Sequence, residues 1–335
     1  MEPAVESAGE APRASTPVFT EGQRERLLTS HPIRDREYII PTPMMQRAYA
    51  IVRDLVWARR TGVVFYATPR MGKTRCAFAI RDQLRADFPS VYVTLLSARR
   101  SSRPSDAHMF RLILEAENHA LAARPHADIL FANLKADIRV KASKIGARQY
   151  VLLIDEMQLL NDVDLQQLVC FHNSLELVNI RMTTISFAQP EILHRRTSLL
   201  AGQERQIIAR FLSDTIHFDG CASDADFGKL LRAFDLASEY PEGSGISYTQ
   251  FFFPTAFPTG FRLETYCSQI WSEFMVAIGG TQEQGVTMEH ICLTIEQLLM
   301  SLRREDSPGL TLSADDIAHA VASSNLKSFS DAFNS

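Results

Sequence analysis

The stretch Ala67-Thr-Pro-Arg-Met-Gly-Lys-Thr74 follows the apolar run Val63-Val64-Phe65-Tyr66 and opens a segment with helical periodicity. A strand, a turn and a helix that begins at Lys-Thr form a phosphate-binding loop, because the first helical amides and the lysine then face the phosphates. The pattern predicts that the chain binds a nucleoside triphosphate. Position 67 is alanine where the usual pattern has its first glycine, so the turn must tolerate a methyl group or open slightly.

Each residue type in this loop suits a task. Gly72 lets the backbone approach the phosphates, Lys73 reaches the β and γ oxygens, and Thr74 ligates a magnesium ion. The residues that we predict to bind the nucleotide here are Ala67, Thr68, Pro69, Arg70, Met71, Gly72, Lys73, Thr74 and Arg75.

A second motif, Gln149-Tyr-Val-Leu-Leu-Ile-Asp-Glu156, is a short apolar strand that ends in two carboxylates. A continuous apolar run is typical of a strand buried on both faces in a parallel sheet. At its carboxyl end Asp155 would hold the magnesium ion with Thr74, and Glu156 would polarise the attacking water. The pair predicts an ATP hydrolase that forms ADP and phosphate, with ATP and Mg²⁺ as cofactors.

ATP is favoured over GTP by the position of a third stretch. Asn133-Leu-Lys-Ala-Asp137 superficially resembles a guanine-reading motif, but its spacing is wrong and it precedes the carboxylate pair.

Composition limits the class of protein. The 335 residues are 46% apolar, which is enough for a sizeable core, and the length indicates about two domains. A formal net charge of -4 means that any DNA binding must come from local basic patches. Five cysteines without a Cys-x-x-Cys pair disfavour a zinc site and a disulfide framework, and no apolar run is long enough to span a membrane. We expect a soluble protein of a reduced, cytosolic compartment.

The order of predicted elements indicates an α/β fold. Strands and helices alternate from residue 63 to residue 218, which predicts a parallel sheet flanked by helices, and the pattern then becomes mostly helical. We expect a disordered tail over residues 1–30, an ATPase core over 31–220, and a small C-terminal helical lid with the C-terminal region over 221–335.

With both motifs placed, the chain resembles the AAA+ ATPases, and in particular the transposition regulators of the TnsC/TniB class, relatives of IstB and of the phage Mu B protein. The phosphate-binding loop corresponds to Walker A and Asp155-Glu-Met-Gln158 to Walker B. The resemblance also rests on His31-Pro-Ile-Arg with Pro41-Thr-Pro43, on Ile185-Ser-Phe-Ala-Gln-Pro-Glu191 and on Arg205-Gln-Ile-Ile-Ala-Arg-Phe211.

The resemblance implies an ATP-dependent regulator of DNA transposition that binds double-stranded DNA without sequence preference. Such a protein forms a homo-oligomeric ring or helical filament and contacts a transposase and a target-selection protein.

The resemblance also assigns roles to individual residues. Gln189 takes the sensor 1 role, with a turn residue ahead of Pro190 as the alternative. Arg205 or Arg210 reaches into the neighbouring subunit's site as the arginine finger, and we favour Arg205; a solvated helix face is the alternative. Arg262 takes the sensor 2 role, against an ordinary surface arginine after a glycine.

DNA contact is predicted in the loop Ala98-Arg-Arg-Ser-Ser-Arg-Pro104, where Arg99, Arg100 and Arg103 can neutralise phosphates without reading bases. A second basic patch at Lys135, Arg139, Lys141, Lys144 and Arg148 is the alternative, although such patches are usually solvated faces.

Two other functions stay open on the sequence. One is a nucleotide-gated signalling or defence switch that binds no DNA, and the other is a replication ATPase of the helicase-loader type.

Overall fold

The structure, a computed structural model, describes residues 19–120, 122, 126–279 and 285–334. The helices are α1 (Glu21–Leu28), α2 (Pro32–Asp35), α3 (Pro43–Trp57), α4 (Lys73–Asp87), α5 (His108–Ala116), α6 (Ala127–Lys144), α7 (Asp162–Glu176), α8 (Glu191–Ala201), α9 (Arg205–Ile207), α10 (Asp224–Arg232), α11 (Tyr248–Phe252), α12 (Cys267–Ala277), α13 (Met288–Leu302), α14 (Ala314–Ser323) and α15 (Leu326–Asn334). The strands are β1 (Gly62–Tyr66), β2 (Tyr92–Ser97), β3 (Gln149–Asp155), β4 (Arg181–Ala188) and β5 (Thr215–His217).

The five strands form one parallel sheet in the order β2-β3-β4-β1-β5. All seven residues of β3 are buried, as expected for a central strand covered on both faces. Gly62 begins β1 at a point where a Cβ atom would lie 2.7 Å from two backbone oxygens, those of Thr184 and Arg210. Only glycine therefore fits there without a shift of the backbone.

Two apolar clusters cover the sheet. One face packs against α3 and α4, and the other against α5, α6 and α7. The predicted α/β fold with a parallel sheet between helices is confirmed.

A third apolar cluster joins the C-terminal helices to the N-terminal segment. We call the helices α10 to α15 the lid, and this cluster the lid cluster. Leu28, Ile33 and Ile40 are buried in it together with residues of α10 to α14. The ring of His31 contacts four aromatic rings of this cluster, those of Tyr240, Tyr248, Phe251 and Phe252.

The expected disordered tail needs a correction. Residues 1–18 lie outside the described residues, but Thr20 caps helix α1 with a full capping box, and Leu28 packs into the lid cluster. Residues 19–30 are therefore an ordered part of the lid. The segment from residue 190 to residue 212 does not form one continuous helix: α8 ends at Ala201, and a π-helical turn, Ile208–Leu212, follows α9.

Candidate functional site

The phosphate-binding loop lies between β1 and α4 at the carboxyl edge of the sheet. Its first residue, Ala67, is buried, and its N–H donates to the carbonyl of Ala188 at 3.2 Å, which continues the pairing of β1 with β4. The alanine that replaces the usual glycine thus sits in extended backbone and its methyl group fills the core. Left-handed backbone occurs further on, at Arg70 and Gly72, with φ of 70° and 93°.

Helix α4 begins at Lys73 and has no side-chain cap, so its first N–H groups are available to an anion. The Lys73 ammonium is buried and donates to the carbonyl oxygens of Ala67 and Thr68, each at 2.8 Å. Burial lowers the pKa of Lys73, while the nearby carboxylates of Glu156 and Asp155 act in the opposite direction. The loop therefore holds a lysine charge next to open helix amides, as phosphate binding requires.

Asp155 and Thr74 are joined across the site. The Thr74 hydroxyl donates to Asp155 Oδ2 at 2.7 Å, and Asp155 Oδ1 accepts from the N–H of Glu156 at 3.1 Å. Burial raises the pKa of Asp155, and the hydrogen bond from Thr74 opposes that shift. A hydroxyl and a carboxylate in contact are hard oxygen donors, so this pair fits a magnesium ion.

Glu156 is held by two side-chain amides. Its Oε2 atom accepts from Gln158 Nε2 at 2.5 Å and from Gln189 Nε2 at 3.1 Å. Gln158 Oε1 in turn accepts from the N–H of Gln189 at 3.0 Å. The glutamate and the predicted sensor glutamine therefore lie together, and Gln158 bridges them.

Gln158 was not among the predicted site residues. The signal that could have found it is its place in Asp155-Glu-Met-Gln158, two residues after the glutamate. Its carbonyl also accepts from Arg195 of α8 at 3.4 Å, and Arg195 pairs with Asp162 at 3.4 Å. The amide network is thus tied to two helices.

A cleft of about 420 Å³ opens beside the loop. Residues from Pro69 to Arg75 line one side together with Glu156, the extended segment from Arg36 to Met45 lines another, and α13 closes the third. Polar groups lie at the loop end, whereas Ile39, Ile40 and Leu293 are apolar. A polar end joined to an apolar end suits a nucleotide, with phosphates at the loop and the base between the chain segments.

The lid is tied to the loop at one end of α13. The N–H of Glu289 donates to the carbonyl of Arg70 at 3.2 Å, and the Glu289 carboxylate lies 3.6 Å from Arg70 Nε. The Arg70 guanidinium also lies 5.0 Å from the ring centroid of Phe329 in α15. One residue of the phosphate-binding loop therefore contacts two helices of the lid.

A second tie passes through the N-terminal segment. Arg75 donates to the carbonyl of Arg36 at 2.5 Å, and the Arg36 side chain pairs with Glu296 of α13 at 3.2 Å. The Tyr38 hydroxyl donates to the same carboxylate at 2.8 Å. Burial raises the pKa of Glu296, and its contacts with Tyr38 and Arg36 oppose that shift.

Residues 58–195 match the family described as AAA domain, over less than half of the chain. The chain carries an AAA domain. Its fold is similar to that of Aeropyrum pernix ORC2 in the ADP form, with a TM-score of 0.57, 13% sequence identity, and coverage of 87% of this chain and 71% of that one. Drosophila ORC bound to DNA is similar over 94% of this chain and 70% of that one, with a TM-score of 0.50 and 12% identity. At such identities the likeness concerns the fold. No curated protein sequence matches the chain.

Arg262, the predicted sensor 2 residue, lies elsewhere. It is not among the residues that line the cleft of the AAA domain. Its guanidinium donates to the carbonyl oxygens of Phe257 and Phe261 and lies 3.5 Å from the centroid of the Phe257 ring. The arginine therefore stabilises its own turn. A cation that does join the loop to the lid is Arg70, which pairs with Glu289 of α13.

The two candidates for the arginine finger differ in their surroundings. Arg205 is exposed at the start of α9. Arg210 is half-buried and donates to Asn173 Oδ1 at 3.0 Å within its own subunit. The backbone carbonyl of Arg210 lies beside Gly62, the first residue of β1. Arg210 is therefore at the edge of the sheet where the strands begin, opposite the phosphate-binding loop. An arginine that reaches a neighbouring subunit must be free to leave its own, which favours Arg205.

The predicted DNA loop follows β2 and is irregular. Arg99 pairs with Glu115 at 2.6 Å, and Arg100 and Arg103 are exposed. In the alternative basic patch, Lys141 is held by Glu117 and Asp137. No helix in the described ranges is long and apolar enough to cross a membrane.

Proposed function

We propose that this chain binds and hydrolyses ATP, and that it does so as an oligomer assembled on DNA. The observation that carries the proposal is the convergence of Lys73, the Thr74 and Asp155 pair, and Glu156 at one edge of the sheet. Ligands of open parallel α/β sheets bind outside the carboxyl ends of the strands, where these residues lie.

Each group has a task in hydrolysis. Lys73 would exchange the loop carbonyls for phosphate oxygens. Thr74 and Asp155 would hold Mg²⁺, which would supply positive charge next to the phosphates. Glu156 orients and polarises the attacking water, and the amides of Gln158 and Gln189 fix the direction of its carboxylate. Arg205 of a neighbouring subunit offsets the charge that develops on the transferred group.

The test separates binding from turnover. Glu156→Gln should leave ATP affinity within about twofold and lower kcat by roughly 10²-fold or more, because a positioned base contributes that much. Glu176→Gln, an exposed glutamate paired with Arg181, is the matched control. Full hydrolysis by Glu156→Gln would remove the proposed catalytic site.

Mixing two variants tests whether Arg205 acts in the site of a neighbouring subunit. Arg205→Ala should bind ATP normally and lose hydrolysis, whereas added Glu156→Gln subunits, which retain Arg205, should restore activity. If mixing restores nothing, the finger is another residue, and Arg210→Ala is the next variant.

DNA contact is proposed for Arg99, Arg100 and Arg103. A net acidic chain holds a polyanion best where assembly brings many copies of one basic loop together. Replacing the three arginines by alanine should reduce the dependence of duplex affinity on salt while ATP binding persists. An unchanged salt slope would move the site to the patch from Lys135 to Arg148.

Beyond ATP hydrolysis and DNA binding, we propose that the protein regulates DNA transposition in the bacterial cytosol, with a transposase and a target-selection protein as partners. It is supported by the motifs that resemble the TnsC/TniB class. The fold shared with replication proteins supports a second candidate, an ATPase of the helicase-loader type. ATP-dependent binding of a purified transposase supports the first, and binding of a replicative helicase the second. A chain without DNA-stimulated hydrolysis would be a nucleotide-gated switch.

A further inference from the structure

A basic groove lies at the amino edge of the sheet, opposite the nucleotide cleft. It consists of two adjoining cavities of about 380 and 890 Å³ that share Arg59, Gly146 and Arg148. Strand β3 runs from this edge to Asp155, so the groove lies about 20 Å from the nucleotide cleft at roughly 3.3 Å per residue. We call it the amino-edge groove.

Its arginines come from separate chain segments. Arg59 follows α3, Arg139 lies on α6, Arg148 precedes β3, and Arg181 begins β4. A solvated helix face has its charges on one helix, whereas these four converge from four segments. The positive charge is therefore concentrated at the groove by the fold, and is not the polar face of a single helix.

Most of this charge is uncompensated. Arg181 pairs with Glu176 at 2.5 Å. Within the described ranges, the guanidinium groups of Arg59, Arg139 and Arg148 have no hydrogen bond or ion pair. Three unpaired arginines in a chain of net charge -4 form a local anion site.

Arg59 also has unusual backbone. Three of the turns from a helix to a strand that line the groove contain one left-handed residue each: Gly146, Asn179 and Arg59, the last with φ of 51°. Glycine and asparagine are the types that adopt this conformation readily, and arginine is not. The left-handed backbone of Arg59 therefore costs conformational energy, and the residue at this position still supplies a guanidinium to the groove.

An exposed indole stands at one end of the groove. Trp57 is 81% exposed and lines the smaller cavity beside Arg59 and Arg148. An aromatic face next to unpaired arginines is the arrangement that binds single-stranded nucleic acid, because bases stack on the ring and phosphates pair with the cations. In a duplex the bases are already stacked and paired, so a duplex does not offer a free base face to the indole.

We propose that the amino-edge groove binds single-stranded nucleic acid, with a base stacked on Trp57 and phosphates on Arg59, Arg139 and Arg148. This site is separate from the loop at Arg99 to Arg103 and needs neither ATP nor assembly. A protein with both sites would hold a duplex and an unpaired strand at different faces.

Tryptophan fluorescence tests the proposal directly. The chain has two tryptophans, and Trp271 is packed against Phe227 at 5.9 Å between ring centroids. In the nucleotide-free full chain carrying Trp271→Phe, oligo(dT) should quench the remaining emission with saturation. In the full chain with Trp271 retained, Trp57→Ala should weaken binding of a labelled oligo(dT) about tenfold or more, the range of one stacked base, and Trp57→Phe should restore part of it.

Salt dependence tests the arginines. Changing Arg59 and Arg148 to Gln should lower the slope of log affinity against log salt by about 1.4, at roughly 0.7 per phosphate of a single strand. The matched control, Arg304→Gln with Lys327→Gln, removes two exposed charges that do not line the groove and should leave oligo(dT) binding unchanged. The assay contains no nucleotide, so failure here is told apart from failure of the proposed duplex site, which acts in the assembled protein. The proposal is overturned if oligo(dT) causes no quenching, if a duplex binds equally well regardless of Trp57, or if a poly-glutamate peptide quenches as strongly.

Discussion

Lys73 provides the most direct test of the nucleotide site, because its hydrogen bonds without a nucleotide can be compared with those it would make to ATP. Without a nucleotide the ammonium donates to the carbonyl oxygens of Ala67 and Thr68. With ATP it must exchange these bonds for phosphate oxygens. The affinity that Lys73 contributes is therefore the difference between the two sets of interactions.

The size of that difference can be worked out roughly. A unit charge 4 Å from a phosphate charge gains about 4 kcal/mol at an effective dielectric constant of 20, or about 8 kcal/mol for two phosphates. The two bonds from the ammonium to the carbonyl oxygens contribute about 1.5–3 kcal/mol each, or about 3–6 together. The net loss in Lys73→Ala is then about 2–5 kcal/mol, so we expect ATP affinity to fall by at least about 30-fold.

A titration with a fluorescent ATP analogue measures the effect. Lys73→Met keeps the buried aliphatic volume without the charge, and we expect the same loss as in Lys73→Ala. Lys229→Met removes one lysine charge from an exposed position on α10 and should bind normally. An affinity of Lys73→Met within about threefold of the wild type would refute a phosphate-binding role for this loop.

Two further predictions concern groups around the nucleotide site, and a third concerns His31 in the aromatic cluster of the lid. Gln158→Ala should lower kcat about tenfold at unchanged ATP affinity, since it removes a bond of about 1.5 kcal/mol that fixes the carboxylate of Glu156, and equal steady-state kinetics would contradict this. Glu289→Gln should tighten ATP binding up to about fivefold, because an exposed pair worth up to about 1 kcal/mol no longer holds Arg70, and weaker binding would contradict this. Burial lowers the pKa of His31 to about 3, so the unfolded state binds the extra proton and stability falls as the pH falls from 6.5 toward 3. In urea unfolding, His31→Asn should reduce that dependence by about 1.4 kcal/mol per pH unit, and an unchanged slope would exclude the histidine as its source.

The sequence predicts the ATPase core well because its signals are local. The apolar runs at β1 and β3 define strands within one residue of where they lie, and a proline marks the first residue of α3. Thr42 illustrates the reason: its side chain accepts from the N–H of Met45 and caps the helix that Pro43 begins. Such devices act within four residues and are visible in the sequence.

Other features of the structure cannot be predicted from local spacing. The turn that contains Arg262 carries a glycine and an arginine in the order expected of a sensor, but the guanidinium finds carbonyl oxygens of its own turn. Helix α1 has almost no apolar periodicity, and its place is set by Leu28 in the lid cluster. The place of α1 is decided by residues distant in the chain. The guanidinium of Arg262 is instead bound by carbonyl oxygens within five residues of it, and the spacing of a glycine and an arginine does not show which of these partners the side chain takes.

The position of α13 indicates how the nucleotide state could reach the lid. The helix is tied to the loop through Arg70 and Glu289 at its first turn, and through Arg36 and Glu296 two turns later. Phosphates would attract Arg70 away from Glu289, whereas the Arg36 tie lies beside the apolar end of the cleft and can persist. Binding would then release one end of α13 and keep the other, so the helix would rotate about Glu296. A single arginine contact with the phosphates from the lid would instead pull the whole lid toward the nucleotide.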